Sequence, residues 1–231
     1  MNTRMQTFWK QALKTFGGQK NSNFKPCQKN FDKLWNLMNR IGADDVGLDK
    51  RILENVKMQS APLCVIDIFE SNDFRISIFI LKHGFTMPLH DHPGMYGFLK
   101  VLCGTVQVNN FTLKRSDAHI VNANEKIAAI RHRPVILDST SSACILTPQK
   151  KNLHEIVCTD GPCAFLDILS PPYEVDAYGK GPRPCTYFKV VSGSMNQGTS
   201  DEIEDIQLLV LEDPPSDFCS TSLNYTGPPL T

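Results

Sequence analysis

The 231-residue chain has no net charge, because 24 lysines and arginines are matched by 24 aspartates and glutamates. It therefore lacks the basic field that draws a protein to nucleic acid. Local basic stretches such as Lys150-Lys151 carry no interleaved aromatics and read as solvated turns. Long apolar runs are missing too. Ile76 to Leu81 is among the longest, far short of the roughly 20 residues that a membrane helix needs. The opening residues, MNTRMQTFWKQALKTFGG, show neither a continuous apolar segment nor a small-residue cleavage pattern. No secretory signal is expected, and the chain reads as cytoplasmic. Its eight cysteines include no CxxC pair, which argues against a zinc knuckle, and in a reducing compartment they are expected as thiols. Cys64, Cys103, Cys144 and Cys163 sit in or beside apolar runs, where cysteine serves as a small buried hydrophobe. No glycine-rich phosphate loop and no repeat of fixed period is visible.

What is present suits one domain with a substantial core. Residues 5–41 read as helical, with Phe31, Leu34, Trp35, Met38 and Ile41 forming one apolar stripe and Gly42 a stop. From about residue 60 the texture changes to short runs rich in Val, Ile, Leu and Phe. They fall at 63–69, 74–82, 96–103, 105–108, 126–131, 134–138, 143–148, 153–158, 163–170, 185–191 and 206–212. About eleven strands separated by turn residues, with no helical pattern between them, predict an all-β antiparallel sandwich or barrel. Residues 1–59 are expected to be a helical segment packed on it, and 60–231 the barrel. The polar stretch 192–205 is expected to be an excursion.

The sharpest local signal is GFTMPLHDHPG, residues 84–94. Residues i and i+2 of a strand point the same way, so His90 and His92 can present both imidazoles to one point. Imidazole suits iron, zinc, nickel or copper. His83, His119 and His132 lie among basic or polar neighbours and read as surface or structural residues.

Residues 84–104 resemble the first motif of the cupins, which are double-stranded β-helices, or jelly-roll barrels, with a metal at the wider end. That resemblance makes His154 the third ligand, although no glycine stands three residues before it. Many cupins carry a glutamate ligand shortly after HxH; here those positions are Tyr96 and Gly97. A site of three neutral imidazoles is expected, favouring an anionic thiolate over the two-histidine, one-carboxylate pattern of other oxygenases. DGPCAFLDILSPPY (160–173), Cys185-Thr186-Tyr187 and NYTGPP (224–229) narrow the likeness. Together they resemble the cysteamine (2-aminoethanethiol) dioxygenase and plant cysteine oxidase family over most of the chain.

The resemblance implies Fe(II) on His90, His92 and His154, with O2 and either cysteamine or proteins bearing an amino-terminal cysteine as substrates. It also implies a monomer, a cytoplasmic or nuclear location, and oxygen sensing through arginine-dependent degradation of the sulfinylated proteins. Asp167 resembles the family's active-site carboxylate, Tyr173 a pocket tyrosine, and Cys185 with Tyr187 a pair able to form a thioether. The residues leave plainer readings open: Asp167 as a structural acid, Cys185 and Tyr187 as ordinary packing. Another cupin chemistry, such as an isomerase, and a metal-free binding module are the competing readings. The glycine- and proline-rich segments 181–184, 93–95 and 225–229 are expected to form loops around the barrel rim.

Overall fold

The computed structural model describes residues 2–18, 24–114, 122–176, 182–195 and 202–230. Helix α1 (Arg4–Phe16) opens with a capping box: Thr3 Oγ1 accepts from Gln6 N–H, and Gln6 Oε1 accepts from Thr3 N–H. It buries Met5, Phe8, Ala12 and Phe16, and α2 (Gln28–Met38) buries Phe31, Leu34 and Met38. The second helix ends before the expected Gly42, and Ile41 stays buried beyond it. A turn of 3-10 helix (Ala43–Val46) and α3 (Lys50–Met58) follow, and the apolar stripe gave no sign of α3.

Among the described residues eleven strands make one sheet: β1 (Leu63–Glu70), β2 (Arg75–Leu81), β3 (Thr86–Asp91), β4 (Tyr96–Leu113), β5 (Lys126–His132), β6 (Val135–Leu137), β7 (Cys144–Leu146), β8 (Leu153–Ser170), β9 (Phe188–Met195), β10 (Glu202–Val210) and β11 (Ser220–Leu223). The hydrogen-bonded path is β11-β1-β2-β8-β4-β5-β10-β9, with β3 on β8 and both β6 and β7 on β4. It turns back on itself, because Tyr187, just before β9, bridges to His90 of β3. A jelly-roll barrel results, the all-β architecture that the sequence implied.

Two pairs of expected strands are single bent strands. The runs at 96–103 and 105–108 join as β4, and those at 153–158 and 163–170 join as β8. Gly104 reads as a turn but works as a bulge: its φ is +70°, and a Cβ there would lie 2.6 Å from Asp160 O. The ends of the polar stretch 192–205 also belong to strands, since β9 and β10 pair with each other through them. The expected strand at 185–191 starts only at Phe188.

The strands read as continuous apolar runs because both faces of the barrel wall are covered. On β2 and β8, Ile76, Ile78, Ile80, Ala164, Leu166 and Ile168 share a core with α1 and α2. Their alternates, Leu81, Cys163 and Phe165, fill the barrel interior. Segment 225–229 is not at the rim. It clasps the helical layer: Tyr225 packs into that core, Thr226 Oγ1 donates to Gly47 O (3.3 Å), and Pro229 O accepts from Gln6 Nε2 (3.0 Å).

Candidate active site

Strand β3 ends in the HxH pair. His90 lies on the strand and His92 one residue beyond it, so alternation turns both rings to the same side. His154, second in β8, is the register partner of His90. The three ring centroids stand 4.9, 4.8 and 4.7 Å apart, and all three side chains are buried. Backbone bonds hold the pair where the strand stops: His92 N–H donates to Asn152 O (2.8 Å), and Met95 N–H to His92 O (3.2 Å).

The protonation pattern prepares the nitrogens for a cation. His90 Nδ1–H donates to Pro88 O (2.8 Å), which leaves the Nε2 lone pair free. His92 Nδ1 is 2.8 Å from the Tyr173 hydroxyl, which itself donates to Asp91 O. That chain makes Nδ1 of His92 the protonated nitrogen and turns the Nε2 lone pair inward. Burial lowers the His90 pKa to about 4 and holds His92 and His154 well below the usual value, with mutual repulsion adding to the effect. Neutral imidazole is the form that ligates metal.

Nε2 of His92 and Nε2 of His154 are 3.0 Å apart. Two nitrogens about 2.1 Å from one cation at a right angle would stand about 3 Å apart. The donor set therefore fits a divalent transition metal, and these three histidines are the metal-competent group among the described residues.

The same cavity gathers Asp167, Tyr173, Cys185 and Tyr187. Asp167 points inward from β8, its Oδ1 buried without a hydrogen-bond partner. Burial pushes its pKa up to about 7, and the Ile168 backbone amide and, less, Arg75 only partly offset that. Ser77, opposite it on β2, donates its hydroxyl to Asp67 instead (2.8 Å).

Cys185 is not on a strand as expected. It reaches the site on an irregular segment, 182–186, and meets the hydroxyls of Tyr173 and Tyr187. Burial pushes the Cys185 thiol up to about 12 and raises both tyrosines, so all three are protonated at neutral pH.

Sequence reasoning missed the residues that dock this segment. Asp91, which strand alternation turns away from the two histidines beside it, holds the segment: its Oδ1 accepts from Thr186 N–H (2.8 Å), and its N–H donates to Thr186 O (3.0 Å). Arg183 is buried and donates to Pro93 O (2.6 Å) and Pro172 O (2.9 Å). Phe218 was missed as a wall of the cavity; a lone aromatic in the polar stretch DPPSDF was its one signal. Of the other histidines, His83 is exposed, while His132 is buried with Nε2 2.8 Å from Thr112 Oγ1. His119 lies outside the described residues.

The PCO_ADO family model matches residues 37–230. A 2-aminoethanethiol dioxygenase of Homo sapiens is 34% identical over 227 residues, covering 87% of this chain and 81% of its own. That of Mus musculus is 32% identical over 251 residues, covering 99% and 96%. Plant cysteine oxidase 2 of Arabidopsis thaliana is 26% identical over 235 residues, covering 98% and 83%. With a family match over most of its length and a three-histidine cluster inside its barrel, this chain belongs to the PCO_ADO family of thiol dioxygenases.

Proposed function

We propose that the protein is an Fe(II) dioxygenase that adds both atoms of O2 to the sulfur of cysteamine and of amino-terminal cysteine residues. The products are hypotaurine and cysteine sulfinic acid. One observation carries the reading: three buried imidazoles converge on one point with no carboxylate among them. The names of its relatives, 2-aminoethanethiol dioxygenase and plant cysteine oxidase, support the substrate class.

His90, His92 and His154 would hold the iron, which when bound supplies the electron exchange with dioxygen that a thiol does not undergo unaided. Three neutral ligands leave the charge of a dication uncompensated, so the site favours a thiolate substrate. A thiol RSH and O2 together contain every atom of RSO2H, and sulfur supplies all four electrons. No nicotinamide or 2-oxoglutarate is required.

The chain's own residues bind and orient. Tyr173 fixes the tautomer of His92. Asp167, with a buried oxygen lacking a donor, receives the substrate ammonium, which would draw the carboxyl into its ionised form. The apolar wall keeps bulk water from the reacting sulfur. Cys185 and Tyr187 are the proposed thioether pair: the S–H and one ring C–H bond would break, the S–C bond form, and the two protons and two electrons released would pass to a molecule of the O2 co-substrate, giving hydrogen peroxide. By the same reading the enzyme is a cytoplasmic or nuclear monomer that senses oxygen by marking proteins for arginine-dependent degradation.

The test is mass spectrometry of products from iron-loaded protein given cysteamine and a Cys-initiated peptide. A gain of two oxygen atoms at sulfur is expected, with both activity and bound iron lost in His154→Ala. Full turnover in that variant would refute the three-histidine assignment.

A further inference from the structure

The cavity holding the three imidazoles measures about 220 Å³, room for roughly seven groups the size of a water at ~30 Å³ each. One metal ion, the two atoms of dioxygen and the four non-hydrogen atoms of cysteamine account for all of it, so whatever a polypeptide carries beyond its terminal cysteine must pass the cavity wall. Beyond the histidines the apolar wall includes Leu63, Phe79, Met87, Ile156, Phe165 and Phe218.

Like Tyr173, Cys185 and Tyr187, Phe218 lines this space from outside the strands and the histidine-bearing turn. It is half-buried between exposed Asp217 and Cys219, in a turn closed by its own N–H bonding to Pro215 O (2.9 Å). Its ring centroid is 5.6 Å from that of Tyr187, which is 6.3 Å from that of His90. On its other side it lies parallel to Phe85, 6.5 Å away with 5° between the planes. A row of rings thus runs from His90 through Tyr187 and Phe218 to half-buried Phe85. A cysteine with its sulfur at the imidazole nitrogens places each following Cα about 3.8 Å further along the chain. The side chain of the next residue then falls within reach of Phe218.

We infer that Phe218, backed by Phe85 and Tyr187, is a specificity element that takes the apolar side chain of the residue following an amino-terminal cysteine. The inference rests on the thiol-dioxygenase reading above and names a feature of the polypeptide substrate. Phe218 sits on a loop and packs at the edge of the barrel core, with part of its ring lining the cavity that holds the imidazoles.

The experiment compares two synthetic peptides identical except for Leu or Asn after the terminal cysteine, residues of similar size and no charge. Iron-loaded wild type should favour the leucine peptide by about tenfold in kcat/KM, the scale of a small apolar difference in a fitted site. Phe218→Ala should bring the two peptides within about twofold, mainly by raising KM for the leucine peptide. Phe218→Trp, which keeps an aromatic face, should retain the preference. Equal use of both peptides by the wild type overturns the inference, whether or not the alanine variant folds. So does an undiminished preference in Phe218→Ala. Cysteamine separates the two levels: if it is oxidised and neither peptide is, only this inference falls. If no thiol is oxidised, the dioxygenase reading falls with it.

Discussion

Asp167 is the residue with the largest unmet electrostatic demand in the cavity. A carboxylate enclosed by Phe165, Leu169 and Phe79, with one oxygen unpaired, is held in its neutral form up to about pH 7. Between the unfolded value of 3.8 and that folded value, the native state binds the extra proton, so stability falls as pH rises through this window. Metal-free wild type should therefore lose on the order of 2 kcal/mol more than metal-free Asp167→Asn between pH 5 and 8, as read from urea unfolding. In the iron-loaded state the asparagine variant should keep its metal while turnover drops at least about tenfold, because the substrate ammonium loses its counter-charge. Parallel pH–stability curves would show that the carboxyl ionises freely. Asp167 was legible because an acid inside FLDIL breaks the apolar pattern. Asp91 was half legible: period 2 turned it away from the histidines, but its partner is a backbone amide 95 positions along the chain, and no local pattern encodes that.

At the level of elements, the strand that presents His90 and His92 could be anticipated from HxH between glycine and proline. The two long strands could not. Gly104 carries the signature of a turn, yet the tight approach of Asp160 and Cys163 makes it a bulge inside β4, and only the partner strand settles which. The segment 182–187 was misjudged for a related reason. The alternation of Cys185 and Tyr187 looks like a strand, whereas the segment is fixed by side-chain bolts. Arg183 is the chief one, tying it to the turn after His92 and to the loop bearing Tyr173. Replacing Arg183 with methionine keeps apolar bulk but leaves those carbonyls without their donor, a loss on the order of 2–3 kcal/mol for bonds from a charged group. Amide exchange in 170–176 and 182–187 should speed up by about tenfold or more, while the exchange of β2 stays unchanged. Arg183→Lys should recover part of the protection. Uniform acceleration across the barrel would show that the arginine supports the whole fold and not these loops.

The whole molecule is a barrel with one wall insulated by helices, and this layering explains why its strands read so plainly. Where both faces of a strand are covered the run is continuously apolar, as in Ile78–Leu81. Where one face meets water, as in β11, the residues STSL gave no signal at all. Phe31 joins the two layers. It projects from α2 with its ring 6.4 Å from Phe16, 5.8 Å from Tyr96 and 4.6 Å from Phe98 of β4. If residues 1–59 are an integral layer of the fold, truncating this side chain should cost what a core phenylalanine costs, about 3–5 kcal/mol. In a two-state chain of this size that lowers Tm by roughly 6–20 °C. Phe31 touches the outer face of the wall and the histidines line its inner face, so Phe31→Ala should still bind metal in full below its melting point. A helical layer docked as a separable unit would behave differently: the variant would keep the barrel's Tm and show an early, separate loss of helical circular dichroism. A single earlier transition, with iron released at that same temperature, is the outcome expected of one cooperative core reaching from Phe16 through Phe31 and Phe98 to Leu166.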